Sequence, residues 1–267
     1  MSGDKGFLAI DCGNTRIKAV WFSSAVNSDP EIRYFSSRDS EGLIDWIEEL
    51  KKKEELSGAL SVVGNIDTRL TESLRHTLRE RFLALTPATS LPISLGYRTP
   101  QTLGMDRKAT ACAAAARYPG EKIIVIDAGT AVTIDLITPE GVFEGGNISP
   151  GLRLRFRSLN EFTARLPLIE EADRYIPAFG FDTPSAIRAG VIGGWIDEMA
   201  AVAVRESSAG KVRIILTGGD SELAVEMLSE RIRNLNPGCQ NNIEIEHIPH
   251  LLAEGMRVIY RHHETEI

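Results

Sequence analysis

Two stretches decide the fold: LAIDCGNTRIKAVWF, residues 8–22, and IVIDAGTAVTIDLI, residues 124–137. Each is an apolar run of strand length that closes on an aspartate, Asp11 or Asp127, then turns through glycine and a small polar residue into a second strand-like run. Short alternating runs joined by such a turn read as β-hairpins. One device placed at the head of each half of the chain reads as an internal repeat, and hence as two similar domains. A third glycine turn, TGGD at Thr217–Asp220, follows the strand-like run Val212–Leu216 and precedes a helix beginning near Glu222.

Between these anchors, strands alternate with helices. The pattern predicts a helix over Glu41–Leu56, with Leu43, Ile44, Ile47 and Leu50 on one face, and a strand over Ala59–Val63. Leu70, Leu74 and Leu78 then recur every fourth residue behind Asp67 or Thr68 as cap. Alternation of this kind implies α/β domains with mixed sheets flanked by helices. Residues 86–104 carry three prolines and two glycines and read as loop until an Ala-rich helix opens near Asp106. That helix stops before Pro119-Gly120, which sets the expected boundary between a domain of residues 1–117 and one of residues 118–267.

With 43% hydrophobic and 25% charged residues the chain has the balance of a folded globular protein. A net charge of −7, with no basic run beyond Lys51–Lys53, argues against a nucleic-acid partner. The absence of a long apolar run argues against a membrane span, and the expected location is the cytoplasm. Cys12, Cys112 and Cys239 are odd in number and widely spaced, so they read as reduced thiols rather than as a disulfide or zinc framework. His247 and His250 flank Ile248-Pro249 and read as loop residues where a strand gives way to a helix, rather than as a metal pair.

A strand, a tight turn and a second strand gather backbone N–H groups into a concavity that can hold phosphate oxygens. Gly13 and Gly129 leave room for this, and Thr15, Thr130 and Lys18 add donors. Asp11 and Asp127 repel phosphate, so their use beside a nucleotide is to hold cations that bridge to it. A single hairpin would read equally well as ordinary turn chemistry, since Gly-Asn and Asp-Gly suit tight turns. The ordered set of two hairpins and TGGD matches the sequence of phosphate loop, phosphate loop and adenosine loop. Neither the P-loop pattern nor the dinucleotide-binding glycine fingerprint occurs.

The stretch YRTPQTLGMDR, Tyr97–Arg107, adds a second kind of site. Asp106 could simply cap the Ala-rich helix. Arg107 in a first helical turn opposes the helix dipole, which points to an anionic partner such as a substrate carboxylate.

Taken in order, DCGNTRIK, Y-x-x-P-x-x-x-G-M-D-R, DAGTAVTID, EGGNISPGL and FDTPSAIRAGVIGG resemble the type III pantothenate kinases of the actin-like superfold. That resemblance implies two actin-like (ribonuclease H-like) domains with an ATP cleft between them. It implies ATP binding by Asp11, Cys12, Gly13, Asn14, Thr15, Arg16, Ile17, Lys18 and Thr130. Magnesium would sit by Asp11 through ATP, and a monovalent cation, potassium or ammonium, at Asp127. Pantothenate would be bound by Tyr97, Gly104, Met105, Asp106, Arg107 and Thr183, with Asp106 as general base. The implied product is 4′-phosphopantothenate, the first step toward coenzyme A.

The resemblance also implies a homodimer that shares the pantothenate site across its interface. The helical face Arg188, Val191, Ile192 and Trp195, with Ala186, Gly190, Gly193 and Gly194 beside it, is the expected contact, although the same face could pack within its own domain. Two other functions suit the same fold: a regulatory protein resembling an accessory transcription factor, and a sugar or acetate kinase. A structural filament protein would leave Tyr97–Arg107 without a purpose.

Overall fold

The computed structural model of the chain describes residues 5–13, 16–25, 28–36, 40–62, 68–169 and 177–266. It divides into two compact units, one formed by Met1–Arg117 together with His250–Ile267, the other by Tyr118–Pro249.

In the first unit, β1 (Gly6–Cys12), β2 (Arg16–Phe22), β3 (Glu31–Ser36), β4 (Leu56–Val62) and β5 (Phe82–Ala84) lie in the order β3-β2-β1-β4-β5. The short connections make β1, β2 and β3 antiparallel. The helices α1 (Ser40–Lys51) and α2 (Thr68–Leu78) carry the chain back before β4 and β5, which therefore run parallel to β1. Strand alternation sends Leu8, Ile10, Ile17, Ala19 and Leu60 to one face, against Leu43, Trp46 and Ile47 of α1 and Leu70 and Leu74 of α2. Phe7, Ala9, Val20, Phe22 and Ala59 go to the other face. That face is covered by α3 (Met105–Arg117) and the last helix of the chain, α7 (Leu251–Glu266), through Ala109, Cys112, Ala253, Met256 and Ile259.

Small residues let these two helices meet. A Cβ on Gly255 would stand 1.8 Å from the carbonyl oxygen of Ala109, so only glycine allows the crossing. The Ala-rich composition of α3 is thus explained by close packing on both sides.

Three expectations change here. The helix over Glu41–Leu56 stops at Lys51, because the amides of Lys53 and Glu54 turn back to the carbonyl of Leu50 and the buried Leu56 pairs with Gly6 to start β4. The final helix, expected in the second domain, packs on the first unit, where its apolar stripe covers Phe7 and Ala9. Asp106 is not the helix cap, since α3 already begins at Met105. Asp67 lies outside the described residues.

Residues 86–104 are mostly irregular, holding only the two-residue strand β6 (Ser94–Leu95) and a 3₁₀ turn at Pro100–Thr102.

The second unit repeats the first. Its strands β7 (Ile123–Ala128), β8 (Ala131–Ile137), β9 (Val142–Pro150), β10 (Val212–Thr217) and β11 (Ile243–His247) follow the order β9-β8-β7-β10-β11, with β7, β8 and β9 antiparallel and β10 and β11 parallel to β7. Ile124, Ile126, Ile214 and Leu216 pack with α4 (Leu152–Glu161), α5 (Thr183–Ser207) and α6 (Ser221–Leu235).

Within α5, Val191, Ile192 and Trp195 belong to this core, and Trp195 is 0% exposed. The helix face expected at a dimer contact is therefore internal to its own unit, because an apolar stripe this regular is satisfied by the sheet it crosses. The glycines beside it behave differently: among the described residues, Cβ atoms on Gly190, Gly193 or Gly194 would meet nothing within 4 Å. Among the described residues, no helix is long and apolar enough to cross a membrane.

Candidate active site

In the first unit, Asp11 ends β1 and stands opposite Lys18 of β2. Alternation places both on the face covered by α3 and α7, the face of Ala9 and Val20. The turn is closed by the Gly13 amide donating to the carbonyl of Arg16 at 3.1 Å. Burial pushes the Asp11 carboxyl up to about 6, the charge of Asp106 adds to this, and Lys18 opposes it. Its Oδ1 is buried and has no hydrogen-bond partner among the described residues, which is costly for a carboxylate and suits a site where a hard cation offsets the charge.

Cys12 and Ile17 point the other way, into the core with Leu8 and Ile10. The Cys12 thiol is pushed up to about 12 by burial and then by Asp11, so it stays protonated. These two residues can serve a ligand only through their backbone. Arg16 is exposed, its guanidinium 5.0 Å from the centre of the Tyr34 ring. Asn14 and Thr15 lie outside the described residues.

Helix α3 brings in the second group. A Cβ on Gly104 would come within 2.3 Å of Asp106 Oδ1, so glycine is required for the carboxylate to fold back over the helix start. Asp106 Oδ1 accepts the amide of Arg107 at 2.8 Å. Arg107 is buried, with its guanidinium 5.8 Å from the centre of the Tyr97 ring. Burying a guanidinium is expensive unless anions or acceptors meet it. Met105 packs against the apolar core, so its share in a site is its backbone. The first unit thus gathers Asp11, Lys18 and Asp106, with Tyr97 stacked on Arg107 of the same helix turn.

Residues of this region that the motifs did not single out are Ser61 and Lys108. Both are almost wholly buried, and burial lowers the Lys108 ammonium while Cys112 opposes that shift. Ser61 becomes visible only through strand register, which the sequence does not print.

In the second unit, Asp127 ends β7 opposite Thr133. Three glycines crowd its surroundings. Gly129 donates to the carbonyl of Ala131 at 3.1 Å and closes the turn. Gly151, after Pro150, donates to the carbonyl of Thr130 at 2.9 Å, and a Cβ there would stand 2.0 Å from Gly129 O. Gly218 of the TGGD turn has φ +97°, and its Cβ would fall 2.4 Å from Asp127 Oδ1.

The Asp220 amide ties that turn to Ala128 O at 2.8 Å. At Gly218 a side chain would collide with this carboxylate, so glycine there keeps the TGGD turn close against Asp127. Thr130 is exposed beside it.

Thr183 is exposed at the first position of α5, behind Asp182, whose side chain accepts the Ser185 amide while Ser185 Oγ accepts the Asp182 amide. His247 shares a hydrogen bond with Ser221 at 2.8 Å. Among the described residues, no group of three or more His, Cys, Asp or Glu side chains is arranged to hold a metal ion on its own.

Comparison with known proteins follows the same lines. A type III pantothenate kinase from Christiangramia forsetii is 36% identical over 265 residues, covering 97% of this chain and 99% of that protein. One from Phocaeicola vulgatus is 44% identical over 155 residues, 57% of this chain and 64% of that protein. Among solved structures, a hexokinase of the ROK class from Thermus thermophilus superposes with TM-score 0.53 over 98% of this chain and all of that one, at 13% identity. A glucokinase from an Antarctic psychrotroph superposes with TM-score 0.50 over 97% of this chain and 99% of that one, at 11% identity. At such identities these two structures speak for the fold, that of actin-like sugar kinases. The family model for type III pantothenate kinase matches residues 7–205, and with it the chain belongs to the type III pantothenate kinase family.

Proposed function

We propose that this chain transfers the terminal phosphoryl group of ATP to the hydroxyl of pantothenate, giving 4′-phosphopantothenate at the start of coenzyme A synthesis in the cytoplasm. The observation that carries the reading is the start of α3, where Gly104 lets Asp106 fold back within reach of Asp11's field, with Arg107 buried beside it under Tyr97. Phosphoryl transfer to an alcohol asks a protein for positioning, charge neutralisation and a base for the hydroxyl proton. Asp106 accepts that proton as the new O–P bond forms. Arg107 and Tyr97 hold the carboxylate end of pantothenate, and Thr183 adds a hydroxyl to the same substrate.

The run Asp11–Lys18 cradles the ATP phosphates through its backbone and the Lys18 ammonium, and Thr130 contacts ATP from the second hairpin. Asp11 would hold magnesium, and Asp127 potassium or ammonium. When bound, these cations supply positive charge to the transferring phosphate. The protein's own part is to fix those two carboxylates at strand ends.

We place the chain in a homodimer. The exposed aromatic side chains Phe162, Phe179 and Phe181, at 84%, 89% and 85% exposure, together with the open glycine side of α5, support an apolar contact near Thr183. Phe179→Glu with Phe181→Glu, followed by light scattering and activity, tests this. A folded monomer with normal pantothenate affinity in that variant removes the shared-site idea, and a variant that remains dimeric removes these phenylalanines from the contact.

The function itself is tested by ADP formation from the purified protein with pantothenate, sugars and acetate, each in potassium and in sodium. ADP formation that depends on pantothenate and is faster in potassium is expected. Turnover on a sugar or acetate alone overturns the assignment.

A further inference from the structure

Buried polar atoms without a partner are rare in folded chains, and each asks for a ligand, a water or a role. Two of them in the first unit are neighbours across strands: Asp11 Oδ1 and Ser61 Oγ, neither of which has a hydrogen-bond partner among the described residues. Ser61 is 0% exposed. The parallel register of β1 and β4 sets Asp11 beside Ser61, on strands about 4.8 Å apart. Alternation turns Ser61 to the face of Ala59, the face that Ala9 shares, so its hydroxyl and the Asp11 carboxylate are on the same side of the sheet. On the other flank of Asp11 stands Lys18. The carboxylate is therefore bracketed by a cation on one strand and by an unused hydroxyl on the other.

A carboxylate that binds a cation through one oxygen works best when its other oxygen is held, and the group that holds it is itself part of the site. A serine hydroxyl that does not reach such an oxygen directly can donate to it through one buried water. We propose that Ser61 is a positioning residue for the divalent cation: when the hydrated ion arrives with ATP, the Ser61 hydroxyl holds Asp11 Oδ1 through one buried water, so that Oδ2 faces the ion. This rests on the reading of Asp11 as that cation's carboxylate. Ser61 touches neither ATP nor pantothenate. A purely structural serine would do something different, because an unpartnered buried hydroxyl costs stability and its removal leaves the metal-free protein as stable as before or more so.

The experiment titrates Mn2+ into wild type, Ser61→Ala and Asp11→Asn, alone and with a non-hydrolysable ATP analogue, reading free Mn2+ by electron paramagnetic resonance. Thermal midpoints in EDTA and pantothenate affinity are measured alongside. The expected result is Mn2+ affinity lowered about tenfold in Ser61→Ala, in the range for loss of an outer partner of a metal ligand, with pantothenate affinity unchanged and the EDTA midpoint no lower than wild type. Wild-type Mn2+ affinity in Ser61→Ala, with affinity lost in Asp11→Asn, overturns the role of Ser61 and leaves the reading of Asp11 standing. A lowered EDTA midpoint in Ser61→Ala also overturns it, in favour of a structural serine. Wild-type Mn2+ affinity in Asp11→Asn overturns the reading of Asp11, and this inference with it.

Discussion

The hairpin of the first unit and the hairpin of the second close on equivalent hydrogen bonds, Gly13 to Arg16 and Gly129 to Ala131, both 3.1 Å. The first turn holds one residue more than the second, and the strand partner of its aspartate is Lys18 where the second has Thr133. The larger contrast lies around the carboxylates. Asp11 looks toward a second acid, Asp106, and keeps one oxygen buried and without a hydrogen-bond partner among the described residues. Asp127 has glycines of two separate turns, Gly129 and Gly218, against its Oδ1. The lesson is that a repeated motif fixes where a charge is placed, while the elements packed around it decide its surroundings: a shared field between two acids in one unit, close glycine turns in the other.

The strongest way to break this comparison is Asp106→Asn. Turnover is expected to fall by roughly a hundredfold to ten-thousandfold, as for loss of a general base, while ATP-analogue binding and the fold persist. In the same variant the Asp11 carboxyl should titrate below its wild-type position near 6, because the like charge beside it is gone. NMR of labelled aspartate side chains reads that shift, and an unmoved Asp11 would show that the two acids do not share a field.

Asp127→Ala probes the other side. The potassium-dependent part of the rate should vanish, so that rates in potassium and sodium become equal at constant ionic strength. If stimulation survives, Asp127 is not the ion's site.

A third test uses pH on Asp11. Its folded carboxyl is raised above the unfolded value of 3.8 to about 6, so the unfolded state releases its proton first as pH rises. The folded state therefore carries no penalty below about pH 4, accumulates one between about 4 and 6, and bears it in full above that. Asp11→Asn should stabilise the metal-free protein by up to about 3 kcal/mol at pH 8 and by little at pH 3.5, as followed by thermal unfolding in EDTA. A gain that is the same at both pH values would mean that Asp11 is not strained by burial.

The smallest effect compares glycines. Gly218→Ala sets a Cβ against Asp127 Oδ1 and the Ala128 backbone at positive φ, for a cost of about 1–3 kcal/mol. Gly13→Ala meets only the Arg16 carbonyl at 3.3 Å, with no positive φ, so its cost should stay below about 1 kcal/mol. Equal costs would erase the distinction between the two turns.

The hairpins were legible because aspartate, glycine and strand alternation are local signals. So was α3, whose acid and base at Asp106 and Arg107 stand next to each other in sequence. What covers an apolar face is not local. The stripe of α5 announced itself, but Trp195 turned out to face its own sheet, and Met256 of α7, expected in the second domain, covers the sheet that begins the chain. Ser61 was hidden for a related reason: its pairing with Asp11 depends on how β4 slides against β1, which no single strand encodes.

The first unit is built from both ends of the chain, with all of Tyr118–Pro249 spooled between them. On the ribosome this has a consequence for the order of assembly. When the first sheet emerges, Phe7, Ala9, Val20 and Phe22 still lack Ala253, Met256 and Ile259, which are synthesised only after the whole second unit. The second unit is contiguous and can close before them, so the unit translated first is the one completed last. Until that final helix is released from the exit tunnel, the nascent chain presents an uncovered apolar surface, the kind that chaperones bind.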